Sequence, residues 1–185
     1  MNPFDLIDRI YPPGSLAHRL LLEHSRAVAD LALTAAGILC ARGEAVDLAF
    51  VEQAALLHDI GMLHTDAPEI GCHGPLPYLA HGIKGRQMLE AAGLPRHGLV
   101  CERHIGVGLS AAEIIAEKLP LPARDMLPVS LEEQIVTYAD LFFSKTPAAA
   151  GHRRTPDQVR ASLARFGAEK VSVFNHWHRR FSSDL

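Results

Sequence analysis

The sequence predicts an all-α fold, and three features of the chain lead there. Apolar residues recur with the 3.6-residue helical period through most of its length. Capping residues, glycines and prolines punctuate the periodic segments at helix-length intervals. No stretch sustains the period-2 alternation of β-branched residues that marks a strand. With 185 residues, 48% of them hydrophobic and 21% charged, the chain is composed for one compact domain, 1–185, rather than for disorder. A domain of this length buries about 70% of the surface its unfolded chain exposes and needs no covalent staples.

Each element follows from local signals. A first helix is expected over 3–10, stopped by Tyr11-Pro12-Pro13-Gly14. Ser15 then caps a long helix to residue 41, closed by Gly43, with the stripe Ala17, Leu20, Leu21, Ala27, Val28, Leu31, Ala35 and Ile38. Asp47 caps a third helix reaching 59 or 60, with Gly61 as its stop. Residues 62–78 carry Pro68, Gly71, Gly74, Pro75 and Pro77 and no periodic stripe. That reads as a long loop with little apolar surface in its middle, of the kind that gates a site. Helical patterning returns over 79–92 and 96–105. Ser110 starts a short helix to 119, and a Pro-punctuated connection fills 121–129. Ser130 with Glu133 has the pattern of a capping box for a helix to 145. Thr155-Pro156 opens a helix to 166, and a last helix covers 168–181.

Composition narrows the function. With 18 Lys+Arg against 21 Asp+Glu, the net charge of −3 argues against binding extended nucleic acid by charge neutralisation. Cys40, Cys72 and Cys101 are odd in number and form no CxxC, which points to a reducing compartment rather than a disulfide framework. The start, MNPFDLIDRIYPPGS, has no basic region leading into an apolar one, and no apolar run reaches membrane-span length. A cytoplasmic protein with no membrane partner is therefore expected. Histidine stands out, at 11 of 185 residues.

Several polar residues occupy positions where the stripes call for apolar ones. His24 lies between Leu20, Leu21 and Val28, and Asp140 between Val136 and Phe143. A buried imidazole or carboxylate requires a hydrogen bond, an ion pair or a cation, and each of these two alone also fits a core polar group bonded to backbone. His58-Asp59 ends the apolar helix AFVEQAALLHD, where two adjacent side chains can converge on an ion from two sides. His81 opens the helix after the long loop, and His104 lies near the end of the next. These six residues offer four imidazoles and two carboxylates from five helices. Mixed N and O donors projecting into a bundle suit iron, manganese, zinc, nickel or cobalt, not calcium.

A lone His, an adjacent His-Asp followed by Ile60-Gly61, two further His and a distant Asp together resemble the HD-domain metal-dependent phosphohydrolases. HDIG at 58–61 is a variant of that family's signature, and ERHIGVGLS and TYADLFFSK look like a small single-domain subgroup. The resemblance covers about 20–145, with C-terminal helices over 155–182 expected to pack on that core. It implies a compact multi-helix bundle with its metal site in the helical core. Position by position, it implies His24, His58, Asp59 and Asp140 around one metal. His81 and His104 match the additional ligands of dinuclear members, with Asp59 bridging; a mononuclear site with those two histidines in other roles is the alternative. The implied activity is hydrolysis of a phosphoester or phosphoanhydride, of a nucleotide or related small phosphate compound, by metal-activated hydroxide.

Lys84, three residues after His81, shares its helix face and is a candidate to reach a phosphate oxygen, so Asp59 and Lys84 are the expected catalytic pair. Arg103, Lys145, His73 and Tyr78 are the further candidates for substrate contact. His97, seven residues before His104, is a candidate to support a ligand; His18 and His152 read as surface residues. Two other classes share these residues: a di-iron oxygenase of HD type and a non-catalytic nucleotide-binding module.

Overall fold

The structure, a computed structural model, describes residues 2–146 and 152–182. It is helical throughout, apart from one two-stranded ribbon, as the periodicity predicts. Helix α1 spans Pro3–Ile10, with Pro3 in its first turn and the Asn2 side chain accepting from Phe4 N. Helix α2, Leu16–Ala41, begins where Ser15 accepts from His18 N, and α3, Leu48–Leu57, begins where Asp47 accepts from Phe50 N. The remaining helices are α4 His81–Ala91, α5 Pro95–Arg103, α6 Ala111–Ala116, α7 Leu131–Asp140, α8 Pro156–Leu163 and α9 Ala168–Phe181.

Among the helices that stop sooner than their sequence patterns suggest, α3 and α7 do so for one reason. After α3, His58 Nδ1 donates to the Ala55 carbonyl (2.7 Å) and Ile60 N turns back to Leu57 O (3.0 Å), which tightens the last turn and ends the helix. After α7, Phe142 N and Phe143 N turn back to Ala139 and Asp140 (3.2 and 3.0 Å), so Lys145 lies beyond the helix. The Ser130 cap is half a capping box: Ser130 accepts from Glu133 N (3.2 Å), but the Glu133 carboxylate serves Val129 N (2.9 Å) and Arg103 instead. At α6 and α8 both halves of the box form, from Ser110 with Glu113 and from Thr155 with Gln158.

Residues 62–78 depart most from expectation. They fold into 3₁₀ turns at Met62–His64, Pro68–Ile70 and Tyr78–Ala80 and a ribbon of β1 (Asp66–Ala67) against β2 (Cys72–His73), antiparallel, with Ala67 opposite Cys72. Met62, Ala67, Ile70 and Cys72 are all buried, so the segment is a packed part of the core and not a lid with a polar middle. Its apolar residues fall at spacings of five, three and two, which match neither helix nor strand period; that hid them in the sequence.

Two apolar clusters fill the interior. One joins α2, α3, α7 and α9 through Val28, Ala32, Leu39, Val51, Tyr138, Phe142 and Phe174. The other joins α1, the start of α2, α4 and the 62–72 segment through Ile7, Tyr11, Leu21, Leu57, Ile70 and Leu89. His18 is buried in this second region and not on the surface as its position suggested: it ties α2 to α1 through Asp8 (2.8 Å) and accepts from Gly14 N (3.3 Å). The seam between the clusters runs between Leu21 and Val28, between Leu56 and Leu57, and between Val100 and Cys101. His24, His58 and His104 lie along that seam.

Close backbone approach sets the distance across it. A Cβ on Gly61 would stand 2.2 Å from His81 O and 2.4 Å from Gly85 N, and one on Gly82 would stand 2.5 Å from Cys101 O. Only glycine at these positions lets α4 seat against both the 58–61 turn and α5. Tyr11, which the sequence showed merely as a helix stop, braces the same turn. Its buried hydroxyl donates to Ile60 O (3.0 Å) and accepts from Leu63 N (2.9 Å).

Candidate metal centre

Five helices deliver the six predicted residues to one place. His24 projects from the middle of α2; His58 and Asp59 follow the last turn of α3; His81 is the first residue of α4; His104 caps α5; Asp140 ends α7. His24, His58, Asp59, His81 and His104 are buried.

The donors form two sets that share Asp59. In the first, His24 Nε2 lies 2.9 Å from Asp140 Oδ1, 3.2 Å from His58 Nε2 and 3.3 Å from Asp59 Oδ2. His58 Nε2 closes that set at 3.1 Å from Asp59 Oδ2 and 3.4 Å from Asp140 Oδ1. In the second, His81 and His104 Nε2 are 3.2 Å apart and lie 3.3 and 3.4 Å from Asp59 Oδ1. Atoms bound about 2.1 Å from a common ion stand about 3.0 Å apart at a right angle and about 3.4 Å apart at the tetrahedral angle. The observed separations fall in that interval, except the His24–Asp140 pair just below it at 2.9 Å.

Tautomers supply an independent test. His58, His81 and His104 each donate Nδ1–H to the carbonyl three residues earlier, of Ala55 (2.7 Å), Tyr78 (2.6 Å) and Cys101 (2.8 Å). Two of those carbonyls belong to the final turns of α3 and α5, where main-chain acceptors are left over. The proton on Nδ1 leaves Nε2 as a bare lone pair. The His81 and His104 Nε2 lone pairs therefore face each other at 3.2 Å, an arrangement that a bound metal ion, or a proton on one of the rings, relieves. Asp59 Oδ1 is buried between them without a hydrogen-bond donor among the described residues. The donor set fits a divalent metal.

In the absence of metal, a proton on His58 and the Lys145 ammonium supply the positive charge instead. Burial opposes charge on His58, but Asp59 and Asp140 outweigh it and lift its pKa to about 10. His104 goes the other way: burial lowers it to about 4, only partly offset by Asp59. Burial also works against ionisation of Asp59 and Asp140, yet the surrounding imidazoles and Lys145 hold both well below the usual carboxylate range. Lys145 Nζ stands 2.8 Å from Asp59 Oδ2 and 3.8 Å from Asp140 Oδ1, and its charge also acts on the Tyr78 hydroxyl, which burial pushes up to about 12. The Tyr78 ring lies 4.8 Å from that of His81.

The other candidates divide. Lys145 and Tyr78 are at the centre. Arg103 is tied to α7: its Nη1 donates to both Glu133 oxygens (3.1 and 2.9 Å). His73 is exposed on β2 and joins neither donor set. Lys84 is half-buried on α4 and its charge bears on His64, on the side of the 3₁₀ turn. His97 packs edge-on against Phe50 (ring centroids 4.8 Å apart), because seven residues place it about 10 Å along the α5 axis from His104.

A helical bundle with this His and Asp constellation defines a class, and the sequence places the chain in it: residues 21–143 match the HD domain, and the chain belongs to that family. HD domains bind divalent metals, and the His/Asp cluster is placed to hold one. Among relatives, an uncharacterized protein of Methanocaldococcus jannaschii is 37% identical over 127 residues, which cover 68% of each chain. A tRNA (cytidine(56)-2'-O)-methyltransferase of Thermoplasma volcanium is 30% identical over 75% of this chain but 35% of its own length. The same-named protein of Picrophilus torridus is 32% identical over 67% of this chain and 31% of its own. This chain thus spans about a third of those methyltransferases. Among solved structures, the HD domain of the L. monocytogenes phosphodiesterase PgpH, in complex with cyclic-di-AMP, superposes with a TM-score of 0.53 at 16% identity, over 95% of this chain and 92% of that one. That likeness shows a shared fold. No helix among the described residues is long and apolar enough to cross a membrane.

Proposed function

We propose that the protein is a metal-dependent phosphohydrolase that cleaves a phosphoester or phosphoanhydride of a small phosphorylated compound, a nucleotide or a relative of one. The observation that carries this reading is the division of the Asp59 carboxylate, with Oδ2 turned to His24 and His58 and Oδ1 to His81 and His104. One ion is assigned to His24, His58, Asp59 and Asp140, and a second to Asp59, His81 and His104. Membership of the HD family supports this reading, and a fold neighbour named as a phosphodiesterase is consistent with it.

When bound, two divalent ions supply Lewis acidity and a water acidic enough to attack phosphorus near neutral pH. The protein's share is positioning. The carbonyl bonds at Nδ1 fix three imidazole rings so that their Nε2 lone pairs converge without reorganisation. Asp59, held by the turn that Tyr11 braces, sets the spacing between the two donor sets. Lys145, an ammonium beside Asp59 and Tyr78, is poised to take up negative charge on a phosphoryl oxygen. No serine or cysteine nucleophile is required.

The test is anaerobic reconstitution with Mn²⁺ or Fe²⁺, followed by a screen of phosphate compounds in ¹⁸O-labelled water. One labelled oxygen is expected in each phosphoryl group released, and Asp59→Asn lowers kcat/KM at least 100-fold. Phosphate release that never occurs, or turnover that requires O₂, overturns the assignment.

A further inference from the structure

Beside the second donor set lies a cavity of about 670 Å³, whose position relative to the metal ligands indicates its use. Its wall includes Leu79, two residues before His81, and Ile105, immediately after His104. These two chain neighbours put the cavity on the side of His81 and His104, although none of the six donors itself lines it. From there it runs between the 105–109 loop, α6 and the α8–α9 corner.

The wall is mostly apolar, with Glu113, Glu117, Arg165, Glu169 and Lys170 as its charged members. Leu79, Ile105, Val107, Leu109, Leu119 and Leu163 supply aliphatic surface, and the Phe166 ring, 68% exposed, stands at the rim. Lys170, which might have charged the interior, is buried and spends its ammonium on Gly108 O (2.9 Å) and the Glu113 carboxylate. That pairing clamps α9 to the 105–109 loop and to α6, so the cavity's shape is set by a half-buried ion pair and not by loose side chains. Ala112 and Ala116, one helical turn apart on α6, face the space with nothing larger than a methyl group. The volume falls in the range that encloses small organic ligands.

We infer that this cavity holds the apolar organic group of a phosphoester whose phosphoryl end sits at the metal centre, on the His81–His104 side. This rests on the phosphohydrolase reading for the phosphoryl end and adds the class of the other: a group with a planar or branched apolar face, rather than a bare phosphate. Free energy of the kind that discriminates such groups comes from apolar area removed from water, which these six aliphatic side chains and Phe166 offer.

The test separates binding from turnover. The Mn²⁺-loaded protein is titrated calorimetrically with (1-naphthylmethyl)phosphonate and with methylphosphonate, neither of which it can hydrolyse. The naphthyl compound is expected to bind at least tenfold more tightly. Ala112→Trp and Ala116→Trp, each at an exposed helix position, abolish that advantage while leaving methylphosphonate affinity within twofold and metal content unchanged. Equal affinity for the two phosphonates in the unaltered protein, or an advantage that survives in both tryptophan variants, overturns the inference. Hydrolysis of 1-naphthyl phosphate and methyl phosphate is followed in parallel. Selective binding without hydrolysis would sink the phosphohydrolase reading and keep the cavity's role; hydrolysis of both esters with no binding preference would do the reverse.

Discussion

Gly61→Ala is the smallest change that separates the packing argument from the chemistry. The added Cβ would stand 2.2 Å from His81 O, 2.4 Å from Gly85 N and 3.0 Å from Gly85 Cα, all of them backbone atoms of α4 that no side-chain rotation can clear. An ordinary carbon–oxygen contact needs about 3.3 Å, so α4 must withdraw by about 1 Å. His81 opens that helix and moves with it, away from Asp59 Oδ1, which now lies 3.3 Å from its Nε2. Overpacking of this kind costs about 1–3 kcal/mol, which for a chain of this size lowers Tm by about 2–12 °C. That loss is expected together with a selective one: metal at the His81–His104 set falls, while the His24–His58–Asp140 set, none of whose atoms is among the three nearest the new methyl, keeps its ion. Differential scanning fluorimetry and metal analysis on the same samples decide it. A variant with unaltered Tm and unaltered metal content refutes the claim that glycine here sets the geometry of the centre.

Three further outcomes follow from the same structure. Arg103→Ala leaves the nearly buried Glu133 carboxylate without its guanidinium, and stability measured by urea unfolding falls by about 1–3 kcal/mol with kcat/KM within twofold; a tenfold loss of turnover at unchanged stability would restore Arg103 to the substrate site. Lys145→Met lowers kcat/KM at least tenfold with metal retained, and full activity in that variant removes it from the mechanism. In metal-stripped protein the folded-state pKa of His58, about 10, lies above the ordinary 6.5, so its contribution to stability is complete below pH 6.5 and is lost as pH rises toward 10. The Tm of chelator-treated protein therefore falls across that interval; a flat profile contradicts the ion-paired geometry.

The convergence of six side chains was easier to read from the sequence than the course of the segments around them. His24 and Asp140 were legible because a polar residue inside an apolar stripe is a local contradiction, and HDIG because a doublet followed by glycine marks a helix end. Helix starts were equally legible at Ser15, Asp47, Ser110 and Thr155, each a side chain that takes an amide of the first turn. What could not be read was anything set by partners distant in the chain. Arg103 looked like a free cation until Glu133 met it from α7, and His18 looked exposed until Asp8 closed over it. The 62–78 segment buries side chains in irregular turns, where periodicity carries no signal. Tyr11 reaches the 58–63 turn across some fifty residues of chain, and the wall beside Ile105 comes from α8 and α9; neither leaves a mark in local pattern.

The central claim is that one carboxylate divides six ligands into two metal sites. Counting and locating the ions tests it most directly: metal analysis of reconstituted protein, with anomalous diffraction at the metal edge, on the unaltered chain and on His81→Ala. Two ions per chain are expected, about 3.5–4 Å apart across Asp59, and one ion, on the His24–His58–Asp140 side, once His81 is removed. A chain that binds no transition metal, or a single ion at the same position in both proteins, contradicts it.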